Sequence, residues 1–233
     1  MNDDQTTKLA IYDLDRTITR VPTWSLFLLF AARRIAPWRL ATVPLLAPIA
    51  LLRVAGVLHR DTLKQLMHRL LLGHALPPPV LARISEEFAE EFTERDILTG
   101  ARRQIERDRA DGWRIVIATA AHRFYAEPIA RHLAITDVIA TEASRSPAGD
   151  MLSTIAGQNC YGTAKQAMIA AWLTHQGIAR KTARLRFYSD HVSDRPTFDW
   201  VDDPVAVNAH APLVRLATSR GWRTLDWRRA DQG

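Results

Sequence analysis

Three apolar runs in this chain each break off at a polar residue. Leu9-Ala10-Ile11-Tyr12 ends at Asp13, with Asp15 two positions beyond it. Ile115-Val116-Ile117-Ala118 ends at Thr119, and Leu185-Arg186-Phe187-Tyr188-Ser189 ends at Asp190, with Asp194 four residues on. Short continuous apolar runs read as strands buried on both faces. Strands are expected over residues 8–12, 114–118, 137–141, 185–188 and 205–207. Helices are expected over 97–110, 124–133, 163–175 and 212–219, with a loop or hairpin over 144–158. Strand alternating with helix implies an α/β fold, a parallel sheet covered on both faces. In open sheets of this kind ligands gather at the carboxyl ends of the strands, where these polar residues fall.

The chemistry they suggest is specific. Side chains alternate faces along a strand, but once the backbone turns after Asp13 the two carboxylates can converge on one pocket. One carboxylate can then attack a phosphorus atom while the other moves a proton. Close carboxylates repel and invite a shared cation, Mg²⁺ being suited to oxygen ligands. Gly162-Thr163-Ala164-Lys165 opens a helical stretch and adds an ammonium. Each piece also has a plain reading: a surface loop for Asp13 and Asp15, a strand-end cap for Thr119, a solvated lysine for Lys165, a helix N-terminal pair for Asp190 and Asp194. The ordered set at successive strand ends outweighs them.

In that order the motifs resemble those of the haloacid dehalogenase-like hydrolases, subfamily IB, the branch that includes phosphoserine phosphatase. The matching pieces are Asp13-Leu14-Asp15-Arg16-Thr17, Thr119, Lys165 and Asp190 with Asp194. The match continues through Ala206-Val207-Asn208 and the tail Gly221-Trp222-Arg223-Thr224-Leu225-Asp226. The resemblance implies a Rossmann-like parallel core, residues 1–21 and 96–233, with a helical cap, residues 22–95, inserted between the first strand and the rest. It implies Asp13 as nucleophile of an aspartyl-phosphate mechanism and Asp15 as acid and then base. Thr119, Ala120 and Lys165 would hold the phosphate. Mg²⁺ would sit on Asp13, the Asp15 carbonyl and Asp190, with Thr17 and Asp194 behind them. Asp15 as acid/base favours phosphate over halide chemistry. Arg16 and Ser193 depart from the family pattern, where a small or acidic residue and an asparagine are commoner.

The block over 22–95 is too long for a structureless connection. Residues 24–31 and 40–58 are strongly apolar and flanked or punctuated by Arg33, Arg34, Arg39, Arg53 and Arg60. A helix over 40–58 would be about 28 Å long, near the roughly 30 Å of a bilayer core, although Arg53, Pro44 and Pro48 oppose a span. Self-burial, interfacial attachment and spanning all stay open. The resemblance implies an acidic residue early in the cap for the substrate amine of phosphoserine phosphatases; residues 18–26 contain none, which argues against phosphoserine. The apolar, proline-punctuated cap is similar to that of bacterial phosphatidylglycerophosphate phosphatases, favouring an amphiphilic or lipid phosphate. A soluble metabolite phosphate such as phosphoserine, a phosphotransferase, and a non-catalytic membrane- or partner-docking module remain as alternatives.

Lys plus Arg number 31 against 25 Asp plus Glu, a net +6. The basic residues are interleaved with acids and form no nucleic-acid arm. With Cys160 as the single cysteine, an internal disulfide is excluded. Cys160 reads as a packing residue more readily than as a nucleophile. The polar start, residues 1–5, lacks the pattern of a secretory signal. The expected location is the cytoplasm, with peripheral contact to the inner face of its membrane through the cap. His122 and Arg123 read as an exposed first helical turn or as substrate contacts, and His191 as solvent-facing. His59, His68 and His74 lack compact metal-ligand spacing.

Overall fold

Leu9, Ala10, Ile11 and Tyr12 are fully buried because their strand, β1 (Thr7–Tyr12), lies in the middle of the sheet. The computed structural model describes residues 6–228, apart from the side chains of Ala50, Arg53 and Val54. The polar start at residues 1–5 and the expectation for the Arg53 side chain lie outside the described residues. The remaining strands are β2 (Ala75–Leu76), β3 (Arg114–His122), β4 (Asp137–Arg145), β5 (Met151–Ala156), β6 (Ala183–Ser189), β7 (Asp203–Val207) and β8 (Arg223–Leu225). They form one sheet in the order β2-β5-β4-β3-β1-β6-β7-β8. Strands β4, β3, β1, β6, β7 and β8 run parallel, while β5 is antiparallel to both β4 and β2. The chain leaves β1 to one side through β3 and β4 and returns to the other through β6. That reversal opens a crevice at the carboxyl end of β1.

The helices are α1 (Thr23–Ile35), α2 (Leu46–Val54), α3 (Arg60–Leu71), α4 (Pro78–Asp96), α5 (Thr99–Ala110), α6 (Arg123–His132), α7 (Thr163–His175), α8 (Arg195–Phe198) and α9 (Ala211–Arg220). Alternation along β1 explains how they divide. Ala10 and Tyr12 join the apolar cluster of α1, α4, α5 and α6 on one face. Leu9 and Ile11 join the cluster of α7 and α9 on the other. A strand fed from both sides cannot alternate polar with apolar, so the run is continuous.

The structure departs from the sequence expectations in several places. The strand expected over 114–118 continues to His122, with a bulge between Thr119 and His122. Residues 144–158 hold the β4–β5 hairpin. The short β2 and β8 were not expected. The continuous helix considered over 40–58 does not form. Pro37–Leu45 winds as a 3₁₀ segment, α2 follows, and the chain turns at Gly56. Proline lacks the N–H an α-helix interior needs, so Pro44 stands at the boundary of the two pieces, while Pro48 falls in the first turn of α2, where it is tolerated. Among the described residues no helix is long and apolar enough to cross a membrane.

Beneath the carboxyl ends of β1 and β6 lies a buried ionic network. Asp108 of α5, fully buried, accepts hydrogen bonds from the Tyr12 hydroxyl at 2.5 Å, the Tyr188 hydroxyl at 2.8 Å and the Arg186 guanidinium at 2.7 Å. The two tyrosine rings stack with centroids 4.4 Å apart. This fixes the residues that immediately precede Asp13 and Ser189. Asp108→Ala would take the acceptor from the buried Tyr12 and Tyr188 hydroxyls while Arg186 keeps Asp203, so it should cost about 1–3 kcal/mol for each stranded group, read as a lowered urea midpoint. A loss under about 0.5 kcal/mol, typical of a surface change, would show that the network does not hold the strand ends.

Candidate active site

At the end of β1 the backbone N–H of Asp13 still pairs with the Tyr188 carbonyl at 2.9 Å. The chain then leaves the sheet through the irregular turn Leu14–Ile18. Arg16 within it has φ +61°, a left-handed conformation uncommon for a side-chain-bearing residue. The turn is held from below. The Asn208 side-chain amide, at the end of β7, donates to the Arg16 carbonyl at 2.8 Å and the Thr17 carbonyl at 3.3 Å. Asn208 in turn accepts from the Trp227 N–H at 2.8 Å.

The turn projects Asp13 and Asp15 into a cavity of about 270 Å³, also lined by Thr119, Ala120, Lys165, Asp190 and Asp194. Every residue to which the family resemblance gave a contact or ligand role therefore lines one cavity. Thr17, expected behind them, donates its hydroxyl to Asp13 Oδ2 at 3.2 Å. Lys165 is central to the arrangement. Gly162, at φ +59°, makes a turn that glycine adopts without steric cost and starts α7, whose third residue is Lys165. The lysine is 2% exposed, and its Nζ lies 2.7 Å from both Asp13 Oδ1 and Asp194 Oδ2. Asp194 Oδ2 also accepts from the Ser189 hydroxyl at 2.7 Å.

Asp15 is held differently. Its Oδ1 accepts from the Thr23 N–H at 2.8 Å and the Thr23 hydroxyl at 2.7 Å. Thr23 is the first residue of α1, and its hydroxyl also pairs with that of Tyr125 at 3.1 Å. The bulge in β3 turns Ala120 toward the cavity. The Ala120 carbonyl accepts from Lys64 Nζ of α3 at 2.7 Å and from the Thr141 hydroxyl at 3.0 Å. The Thr119 hydroxyl accepts from the Ala121 N–H at 3.0 Å.

Charge in the cavity is unbalanced, four carboxylates facing Arg16, Arg60 and Lys165. Burial pushes the Asp13 carboxyl above its usual range, against the pull of Lys165. Burial and the Asp13 charge push Asp190 up to about 7. Burial alone would lower the Lys165 ammonium, but Asp13 and Asp194 outweigh it and hold it above the ordinary lysine range. Asp194 Oδ1 is buried without a partner among the described residues.

This donor set fits a hard divalent cation. Asp13 and Asp190 offer carboxylate oxygens, the Asp15 carbonyl could complete an all-oxygen set, and Mg²⁺ takes its other ligands from water and substrate. Among the described residues no three His, Cys, Asp or Glu side chains stand in metal-ligand geometry, and this set needs only two.

Other residues diverge from expectation. His122 is 3% exposed, packed on Trp24 at 4.8 Å between ring centroids, not on an exposed turn. Burial lowers its pKa well below the usual value. Arg123 is engaged by Glu127, Glu142 and the Val138 carbonyl, away from the cavity. His191 lines the cavity, stacked on His210 at 4.3 Å, with Nδ1 2.8 Å from Ser193 Oγ. Cys160 is fully buried, and burial pushes its thiol up to about 12, as suits a packing residue. Lys64, Thr23, Arg60 and Tyr161 were not singled out in the sequence for the site. No spacing marks them, because they come from α1, α3 and a loop, and only in the folded chain do Arg60 and Tyr161 line the cavity and Thr23 and Lys64 bond to Asp15 and Ala120.

The haloacid dehalogenase-like hydrolase family model matches residues 10–199. The chain belongs to this family. Histidinol-phosphatase of Neisseria meningitidis serogroup C (strain 8013) is 26% identical over 149 residues, 64% of this chain and 67% of that protein. Phosphoserine phosphatase SerB1 of Mycobacterium tuberculosis (strain ATCC 25618 / H37Rv) is 31% identical over 148 residues, 64% of this chain. The alignment spans about half of that relative, 47% of its length. A solved structure from Bordetella pertussis Tohama I, a protein with unknown function, superposes with a TM-score of 0.84 at 27% identity. That match covers 95% of this chain and 99% of the other. As a haloacid dehalogenase-like hydrolase the chain is an enzyme, and both curated relatives carry the names of phosphatases.

With Asp190 raised to about 7, the metal-free native state keeps a proton that the unfolded chain releases near its ordinary value. That contribution is full at low pH and is lost as pH rises through about 7. A cation needs the ionised form, so Mg²⁺ should raise Tm clearly at pH 8 and far less at pH 5.5 in scanning fluorimetry. Equal shifts at both would remove Asp190 from the ligand set.

Proposed function

We propose that this chain is a Mg²⁺-dependent phosphomonoesterase working through an aspartyl-phosphate on Asp13. The observation that carries the reading is the Lys165 ammonium, 2.7 Å from Asp13 and Asp194 at the floor of the cavity. The ammonium keeps Asp13 ionised for attack in spite of its burial. It also stands where charge on a transferring phosphoryl group needs a counterion. Asp15, fixed by two bonds from Thr23, protonates the leaving alcohol, then takes a proton from the water that hydrolyses the intermediate. Thr119 and the backbone at Ala120 border the phosphate. Bound between Asp13, the Asp15 carbonyl and Asp190, Mg²⁺ would neutralise phosphate oxygens. Thr17 and Asp194 keep Asp13 and Lys165 in place.

The reading also takes residues 22–95 as a cap over a core of 1–21 and 96–233. A side cavity of about 180 Å³ shares Asp15, Arg60 and Ala120 with the first, and is walled by Trp24, Lys64, Met67 and Tyr125. A leaving alcohol beyond Asp15 would enter it. Its lining cations are Arg60 and Lys64, the latter lowered by burial and by Arg60 to about 7. Its single lining acid is Asp15. An amine there would meet like charge, which favours a neutral or anionic alcohol over phosphoserine. A lipid phosphate such as phosphatidylglycerophosphate suits this, its phosphodiester being anionic. Arg60 lines the cavity only three residues from Val57, which is 71% exposed, so apolar surface lies near the site.

Asp13→Asn should abolish hydrolysis of an aryl phosphate while leaving the fold intact by circular dichroism. Asp15→Asn should lower kcat by about 10²–10⁴. Turnover persisting in folded Asp13→Asn protein would refute the assigned nucleophile. In a panel of phosphoserine, sugar phosphates and phosphatidylglycerophosphate, kcat/KM should be highest for the last. A clear preference for phosphoserine would overturn the reading of the side cavity.

A further inference from the structure

The segment joining α1 to α3 is clothed in apolar side chains that the fold does not bury. Pro37–Leu45 contains no buried residue. Trp38 is 69% exposed, Leu45 53%, Leu51 69%, Leu52 48% and Val57 71%. Among the described residues the one other large hydrophobic side chain so exposed is Val214. Scattered exposed leucines are ordinary, but a concentration of this kind marks an interaction surface.

Along the chain the charge of this stretch has one sign. From Arg16 to Arg60 the sequence contains no Asp or Glu but has seven arginines, at 16, 20, 33, 34, 39, 53 and 60. Arg39 lies over the Trp38 ring at 4.5 Å and donates to the Arg69 and Leu70 carbonyls at 3.2 Å, tying the 3₁₀ segment to the end of α3. Glu87 and Glu91 of α4 hold Arg34, whereas Arg33 beside it is exposed.

We infer that this face docks on an anionic lipid surface. Apolar residues would enter the acyl boundary while arginines meet the headgroups. Tryptophan suits that boundary through its amphipathic ring. The contact is interfacial, because α2 has nine residues, about 14 Å of helix and half of a bilayer core. A second copy of the chain fits less well. A two-fold contact sets a patch against itself, which would bring acid-free basic segments together without countercharge. Anionic headgroups supply it. The inference is independent of the chemistry at Asp13.

Full-length protein is sedimented with vesicles of mixed phosphatidylglycerol and phosphatidylcholine, and with phosphatidylcholine alone, over a salt series. Binding is expected to the anionic vesicles, to weaken with salt, and to be equal for Asp13→Asn protein. Trp38→Ser with Leu51→Ser should lower partitioning by at least about tenfold, each site losing transfer energy comparable to a buried apolar side chain. Both residues are exposed, so aryl phosphate turnover should persist and report an intact fold. Arg33→Glu should lower binding to the anionic vesicles alone. The inference is overturned if the wild type does not sediment with anionic vesicles at low salt, or binds both compositions equally. It is also overturned if the double variant binds unchanged. A dimer in analytical ultracentrifugation that the double variant dissolves, without vesicle binding, would assign the face to a second copy.

Discussion

The site depends on a single cation buried among carboxylates. An ammonium with almost no solvent access is costly unless it is paired, and Lys165 is paired twice, with Asp13 and Asp194 at equal distances. Asp13 gains an opposite charge that offsets its own burial, and Asp194 gains a reason to be buried at all. Even so, the carboxylates lining the cavity outnumber its cations. Asp190 absorbs that excess by holding a proton up to about pH 7. A divalent cation could absorb it instead. The same imbalance that raises Asp190 would make the pocket receptive to Mg²⁺ and a phosphate together.

Those charges meet because parallel strands end level with one another. Asp13 follows β1, Thr119 lies near the end of β3, and Asp190 follows β6, and β1 is flanked by the other two. Precision comes from below. Asp108 ties Tyr12 and Tyr188 together one residue before Asp13 and Ser189, and Asn208 holds the strained turn at Arg16. Neither lines the cavity, yet both limit how far Asp13, Asp15 and Asp190 can drift. Well-placed groups account for a large part of catalysis, so these supports belong to the chemistry as much as to stability.

How much of this the sequence disclosed follows from what each feature depends on. Asp13, Thr119 and Asp190 were legible because strand periodicity fixes where an apolar run must end, and Lys165 because it follows the Gly162 turn at the opening of a helical stretch. The order of those runs also constrains the sheet. The family resemblance supplied their roles. Lys64, Thr23 and Arg60 were hidden, since their position depends on how the inserted helices lie over the core, which no local pattern encodes. His122 misled for a related reason. The bulge after Thr119 lengthens β3 and carries the histidine inward against Trp24, where a regular strand would have released it to solvent. The long apolar stretch over 40–58 suggested one helix by hydropathy, but it divides near Pro44 into a 3₁₀ segment and the short α2, and turns at Gly56.

Helices α1 and α3 meet the candidate site at Asp15 and Ala120. The Asp15 carboxylate is fixed by the N–H and hydroxyl of Thr23, the first residue of α1, while Lys64 of α3 holds the Ala120 carbonyl on the opposite wall. The stretch between β1 and β3 therefore grips both the Asp15 carboxylate and the strand end at Ala120. Movement of α1 would loosen Asp15, and movement of α3 would release Ala120 and admit water to Lys64. Hydration would bring that lysine back toward its ordinary pKa, since burial is the larger part of its shift. A surface that held the α1–α3 connection in place would thus act on the site through hydrogen bonds already present, with no contact of its own to the reacting atoms.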